Sequence, residues 1–228
     1  MKLKFDAKLD PGFMPMAVVY RDFEARVKAE GGQPLTIGLE RNDGLTSVYT
    51  VEIFKDGTGH DEENFDFVER MVKALLWVAG GFKVIIAGSE VIGNKIKEAY
   101  SDGGARDFDV HFMERVYETD FVVEIRSLED APVEVSGAAP VGRHLDGCRI
   151  GFDAGGSDRK VSAVIDGVPV YSEEVVWHPK TQSDPQYQFD GIVDSFKTAA
   201  SKMPRVDAIG VSSAGVFIGN SPMVSSLF

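Results

Sequence analysis

The chain has 228 residues, 43% of them hydrophobic and 26% charged, the balance of an ordinary globular protein with length for one large domain or two small ones. A net charge of −12 argues against a whole-chain affinity for DNA or RNA backbone, which rests on Lys and Arg. A lone cysteine, Cys148, excludes an internal disulfide framework and a CxxC zinc site, and no run approaches the ~18 apolar residues of a membrane helix.

The opening "MKLKFDAKLDPGF" has basic residues with no apolar run behind them, so it does not read as a secretory signal. The expectation is a soluble cytoplasmic protein. The acidity is uneven. From Cys148 onward there are 9 acidic and 7 basic residues; the part before it carries 27 and 17. The second part would therefore repel an anionic ligand less.

The first ordered signals are two β-rich runs, Leu35–Glu40 and Ser47–Phe54, on either side of Asp43-Gly44, a strong turn dipeptide. They predict a hairpin. In "DEENFDFVERMVKALLWVAGG", Phe65, Val68, Met71, Val72, Leu75 and Leu76 fall at helical spacing, acids crowd the first turn and Gly80-Gly81 ends it. "FKVIIAGS" predicts a buried strand, "EVIGNKIKEAYS" and "ARDFDVHFMERVYE" two helices, and "FVVEIRS" another strand. The order is β-β-α-β-α-α-β, an α/β unit. Small residues and prolines without a clear period follow from Ser127 to Gly147 and predict a connector.

The second block begins with "CRIGFD", a strand, then the turn "AGGSDR", then "KVSAVID", with Val161, Ala163 and Ile165 on one face. Asp166-Gly167 turns the chain into a third strand, "VPVYSEEVVW". A helix follows, with Asp184 as N-cap, Pro185 at the first helical position, and Phe189, Ile192, Val193, Phe196 and Ala200 as its buried stripe. "VDAIGVSSAG" is an apolar strand running into a glycine turn. The order is β-β-β-α-β. Both blocks share a hairpin–helix–strand outline, which raises the idea of an internal duplication.

The chemistry concentrates in "GFDAGGSDRK", Gly151–Lys160. A dinucleotide fingerprint or a Walker-type P-loop needs its glycines to open a helix. Here the β-branched, alternating "KVSAVID" follows, so both are set aside. Two readings remain on the residues alone. One is a plain tight hairpin. The other is a phosphate-holding hairpin, in which Gly155 and Gly156 let backbone N–H groups approach an anion, Ser157 adds a hydroxyl, Asp153 holds Mg²⁺ directly or through water, and Lys160 offsets charge.

The pattern Asp-x-Gly-Gly-Ser-x-x-Lys, between strands one and two of a β-β-β-α-β unit, resembles the first phosphate motif of the actin-like ATPase and sugar-kinase superfamily. More specifically it resembles the ROK family (repressors, open reading frames and kinases), which includes bacterial glucokinases. "VDAIGVSSAGVF" is similar to the strand and glycine turn after that family's first helix. The resemblance covers about Cys148–Phe228. It implies an α/β fold with mixed β-sheets flanked by helices: an actin-like (ribonuclease H-like) lobe at residues 148–228, preceded by a connector at 131–147 and a second α/β unit of unknown role at 1–130. It implies ATP and Mg²⁺ as cofactors and a small-molecule sugar as substrate, with no nucleic acid and no membrane as partners, and it admits a homodimer. Asp153 would orient the metal or its water, and Gly155, Gly156, Ser157 and Lys160 would line the phosphates. His178, after the third strand, and Asn220, after the glycine turn, become candidates for substrate contact. Asp158 stands where many family members have lysine or asparagine, and an acid there disfavours phosphate unless metal screens it.

The family's catalytic aspartate sits in a Glu-Asn-Asp-x-Asn motif, and its zinc motif combines a histidine with clustered cysteines; neither is present, so no catalytic residue is assigned. The expectation is the front of a ROK-type kinase lobe, truncated and inactive alone. Open beside it stands a non-catalytic nucleotide- or sugar-binding regulator of the same fold. An activator ATPase of the acyl-CoA dehydratase type shares the turn, but its cluster-holding cysteines have no match beyond Cys148. Elsewhere, His60 reads as a loop residue or a metal ligand, His111 as a helix-face residue, and Trp77 and Trp177 as core or half-buried.

Overall fold

The computed structural model describes residues 5, 7–137, 142 and 144–225. The chain divides into two compact units, Met1–Ala138 and Ala139–Phe228. Both are α/β with a mixed four-stranded sheet flanked by helices, the class that the alternating strand and helix signals predict. Part of the expected connector, residues 138–141 and 143, lies outside the described residues, as does the apolar end "SLF".

Unit one begins with a helix that the sequence reading missed, α1 (Met16–Glu30). Its signal is short. Only Phe23 and Val27, one turn apart, are fully buried, and its N-terminus has no side-chain cap. Then come β1 (Gly32–Glu40) and β2 (Thr46–Phe54), antiparallel across the expected turn, where Asp43 takes φ 61°. Helix α2 (Asp61–Ala79) starts at Asp61, Glu62 and Glu63, where negative charge suits the helix dipole, and ends at Gly80 with φ 75°. Its fully buried stripe is Phe67, Val68, Val72 and Leu76. Of the expected stripe, Phe65, Met71 and Leu75 are half-buried at its margin. Strand β3 (Lys83–Ala87), helices α3 (Glu90–Ala99) and α4 (Asp107–Tyr117), and strand β4 (Val122–Arg126) complete the unit. The sheet order is β2-β1-β3-β4, and all four helices feed one core over it. The early part of the predicted connector joins this unit. Val135 bridges to Thr46, and Pro132 packs so closely on Gly38 that a Cβ there would come within 2.6 Å of it.

Unit two contains β5 (Cys148–Ala154), β6 (Asp158–Ile165), β7 (Val168–Val176), α5 (Pro185–Ala200) and β8 (Ala208–Ser213), in sheet order β7-β6-β5-β8. The expected β-β-β-α-β order is present. A short hairpin, β9 (Val216–Ile218) and β10 (Ser221–Val224), follows beyond the expected glycine turn. Helix α5 carries the expected Asp184 cap, whose carboxylate accepts the Gln186 N–H at 2.9 Å, with Pro185 next. Its stripe needs one correction. Phe189 is 60% exposed, and the buried side is Gln188, Ser195 and Ala199, with Ile192 and Phe196 packed against the core. The core itself is Ile150, Phe152, Ala154, Val161, Ala163, Trp177 and Ala199.

The suggested duplication does not hold. In unit one two strands precede the helix, so the next strand, β3, returns antiparallel to β1. In unit two three strands precede it, and β8 returns parallel to β5. One extra strand reverses the direction in which the chain enters its crossover. This parity brings the carboxyl ends of β5, β7 and β8 to one edge of the sheet.

Candidate functional site

The shared edge is where ligands bind in open α/β sheets, in the crevice beyond the carboxyl ends of parallel strands. Here it gathers the Gly155–Ser157 turn after β5, Trp177 and His178 after β7, and Ala214-Gly215 after β8. The turn is tighter than expected, because β6 already begins at Asp158. Gly155 is required by space: a Cβ there would come within 2.5 Å of the Asp158 carbonyl oxygen.

Asp153 is half-buried on the face of the sheet away from α5. It pairs in register with Lys160 on β6 and with Ser212 on β8. The Ser212 hydroxyl donates to Asp153 Oδ1 at 2.7 Å, and among the described residues the second carboxylate oxygen accepts no hydrogen bond from protein. Below this pair, Gly151 and Gly210 stand side by side, and a Cβ on either would meet nothing within 4 Å. The result is an open cavity of about 450 Å³ floored by the two glycines and walled by Asp153, Lys160, Ser162 and Ser212.

Lys160 does not stand free. Its Nζ donates to Asp158 Oδ1, two residues back on the same face, and Ser157 Oγ donates to the other Asp158 oxygen at 3.0 Å. The bond to Lys160 first, and then that from Ser157, holds the Asp158 carboxyl below the usual range. Asp158 in turn raises the Lys160 ammonium above its ordinary value. Asp158 therefore carries its own cation.

Of the expected site residues, Asp153 and Lys160 line the cavity; Gly155, Gly156 and Ser157 form the turn next to it without lining it, and the two substrate candidates also lie outside it. His178 is exposed, and its main-chain N–H donates to the Tyr187 hydroxyl at 3.1 Å. Asn220 is exposed at the tip of the β9–β10 hairpin. Gly219 and Asn220 have φ of 55° and 67°, the left-handed pair that a two-residue hairpin turn demands. Neither residue lines the cavity.

Two residues have structural roles here: Trp177, expected as core or half-buried, and Arg159, which was not singled out from sequence. Trp177, 3% exposed, donates its indole N–H to the Gly155 carbonyl at 2.6 Å and its main-chain N–H to the Ser157 carbonyl at 3.1 Å. Arg159, also buried, donates to the Gly191 carbonyl, to Ser195 Oγ at 3.0 Å and to Asp194 Oδ2 at 3.1 Å, tying the exit of the turn to α5. An arginine in an alternating strand next to a glycine turn was the available signal for the second. Among the described residues of unit one, Asp102, Asp107 and His111 place one ligand-type atom each within 4.8 Å of one another at an exposed surface. His60 stacks on Phe54 between Glu30 and Glu63. No helix among the described residues is long and apolar enough to cross a membrane.

No protein-family model matches the chain, and no curated protein matches it. Among solved structures it is similar to an exopolyphosphatase from Cytophaga hutchinsonii, with 14% identity over 80% of this chain and a TM-score of 0.24. The aligned region spans 64% of that protein's length.

Proposed function

We propose that unit two is the nucleotide-binding part of a ROK-type sugar kinase, with the β5–β6 turn holding the phosphates of ATP and Asp153 holding Mg²⁺. One observation carries this reading: a carboxylate with a free oxygen, a glycine turn and a hydroxyl-bearing strand converge at the joint carboxyl ends of two parallel strands. The residues fit the pair of ligands. Asp153 offers a hard oxygen to a hard cation, and successive turn amides suit a phosphate. When bound, ATP would supply the phosphoryl group and Mg²⁺ would screen its charge. The Asp158–Lys160 pair adds no net charge beside the turn, so screening falls to the metal.

A second reading, a non-catalytic nucleotide- or sugar-binding module, has its own support. Among the described residues, Asp153 and Lys160 are the ionisable ones that line the cavity, and the carboxylate nearest them, Asp158, is engaged by Lys160. Two measurements test the site and its activity. Calorimetric titration with Mg²⁺·ATP is expected to show binding that weakens about tenfold or more in Asp153→Ala; equal affinity in both would remove the assignment. In the same buffer with glucose or N-acetylmannosamine, ADP release by this chain is expected to stay below about 1 s⁻¹, the low end of kinase turnover. Faster release would favour the kinase as it stands over the binding module.

A further inference from the structure

We propose that Trp177 is the positioning residue of the β5–β6 turn: it draws both of the turn's inward carbonyls onto itself and so aims the turn's N–H groups at a phosphate. The inference rests on the phosphate-site reading above and adds the device that shapes the site.

The derivation needs only peptide geometry. Across a trans peptide bond, the carbonyl of one residue and the N–H of the next point in opposite directions. The Gly155 carbonyl points to the Trp177 indole N–H, so the Gly156 N–H points away from the buried ring. The Ser157 carbonyl points to the Trp177 main-chain N–H, so the Asp158 N–H points away from the end of β7. Among the described residues, the N–H groups of Gly156 and Ser157 donate to no protein acceptor. The Gly156 N–H is thus both turned away from the ring and unpaired, and an oriented, unpaired amide presents partial positive charge, the feature that recognises an anion. Without the indole bond the Gly155–Gly156 peptide could rotate and offer a carbonyl oxygen, which repels phosphate.

The ring itself is fixed from the other side. It stacks on Tyr187 at 6.5 Å between centroids with planes 25° apart. Gly191 of α5 lies flush against it, where a Cβ would come within 3.2 Å of the ring. The Gly191 carbonyl is held by Arg159. The chain of contacts runs from α5 through the indole to the turn.

In the wild-type chain of 228 residues, a through-hydrogen-bond scalar coupling between Trp177 ¹⁵Nε1 and the Gly155 carbonyl carbon is expected; its absence would overturn the proposal even if no variant folds. Trp177→Phe keeps an aromatic ring and removes the donor. It is expected to weaken both Mg²⁺·ATP and Mg²⁺·inorganic triphosphate by about fivefold, the value of one neutral hydrogen bond, and to shift the Gly155 carbonyl resonance. Phe196→Leu thins the same core away from the turn and is expected to leave triphosphate affinity within about twofold; a fivefold loss there as well would reduce Trp177 to a packing residue. If the wild type binds both probes and Trp177→Phe binds them equally well, this inference fails while the phosphate reading stands. If the wild type binds neither, the phosphate reading fails and takes this inference with it.

Discussion

His111 sits among three carboxylates. Its Nδ1 lies 2.9 Å from Glu114, and its Nε2 lies 3.3 Å from both Asp102 and Asp107. The Glu114 hydrogen bond first, then the charge of Asp107, raises the imidazole above its ordinary value, while His111 holds Glu114 below the usual carboxylate range. The signs differ. A raised histidine favours the folded state fully below its unfolded pKa of about 6.5, and that support is lost as pH rises through the folded value. A lowered glutamate favours it above the ordinary carboxylate range, and that support is lost as pH falls through its folded value. Local support is therefore greatest between the two ranges. In an NMR titration the His111 midpoint is expected above about 6.5, and Glu114→Gln is expected to move it down. A midpoint unchanged by that substitution would remove Glu114 as the main cause. At this scale the sequence was most legible where chemistry is local. Asp153, Gly155, Gly156, Ser157 and Lys160 lie within eight positions of one another, and a turn brings them together. The burial of Trp177 was legible, but its bonds to the turn and the role of Arg159 were not, because their partners lie 22 and 32–36 positions away and depend on strand register and helix placement.

Asn64 shows how one side chain can fix an element. It lies in the first turn of α2, fully buried, and closes on the end of β2 from both sides. The Phe54 N–H donates to its Oδ1 at 3.0 Å, and its Nδ2 donates to the Phe54 carbonyl at 2.8 Å. Asn64→Ala would leave a buried N–H and a buried C=O unpaired. The expected loss is about 2–6 kcal/mol in denaturant unfolding, since each orphaned group costs about 1–3 kcal/mol. A loss under about 0.5 kcal/mol would mean that water reaches Phe54. Elements with strong local signals were found close to where they lie: α2 by its acidic start and glycine end, α5 by Asp184-Pro185, and the β1–β2 hairpin by Asp43-Gly44. Helix α1 was missed because most of its stability comes from neighbours it meets only after folding. Tyr20 and Phe23 pack on Phe67, and Arg26 pairs with Glu63. Phe189 was misplaced by counting apolar residues at helical spacing without knowing that α5 tilts its small residues, Ser195 and Ala199, against the sheet.

For the whole molecule, the strand-and-helix alternation gave the α/β class, but strand direction within each sheet could not be read from it, and direction decides where a site forms. The two units also differ in what holds them. Unit one buries a large cluster drawn from all four of its helices. Among the described residues, the buried hydrophobic cluster of unit two has seven members, one of them Ala199 of α5, and the edge strand β8 leaves Ile209 and Val211 at 46% and 62% exposure. Hydrophobic stabilisation follows buried apolar area, so unit two is the weaker. The two clusters share no residue, and each unit is expected to unfold as its own cooperative step. A calorimetric scan of the full chain is therefore expected to give two transitions. The chain has two tryptophans, so in Trp77→Phe the remaining indole, Trp177, reports on unit two alone and should follow the lower transition. Arg159→Met removes the buried bonds to Gly191, Ser195 and Asp194, and is expected to lower that transition by at least about 4 °C, the shift that ~1 kcal/mol produces in a unit of this size. Asn64→Ala should move the upper transition instead. One coincident transition by heat and fluorescence, displaced equally by both substitutions, would show that the two cores unfold as one.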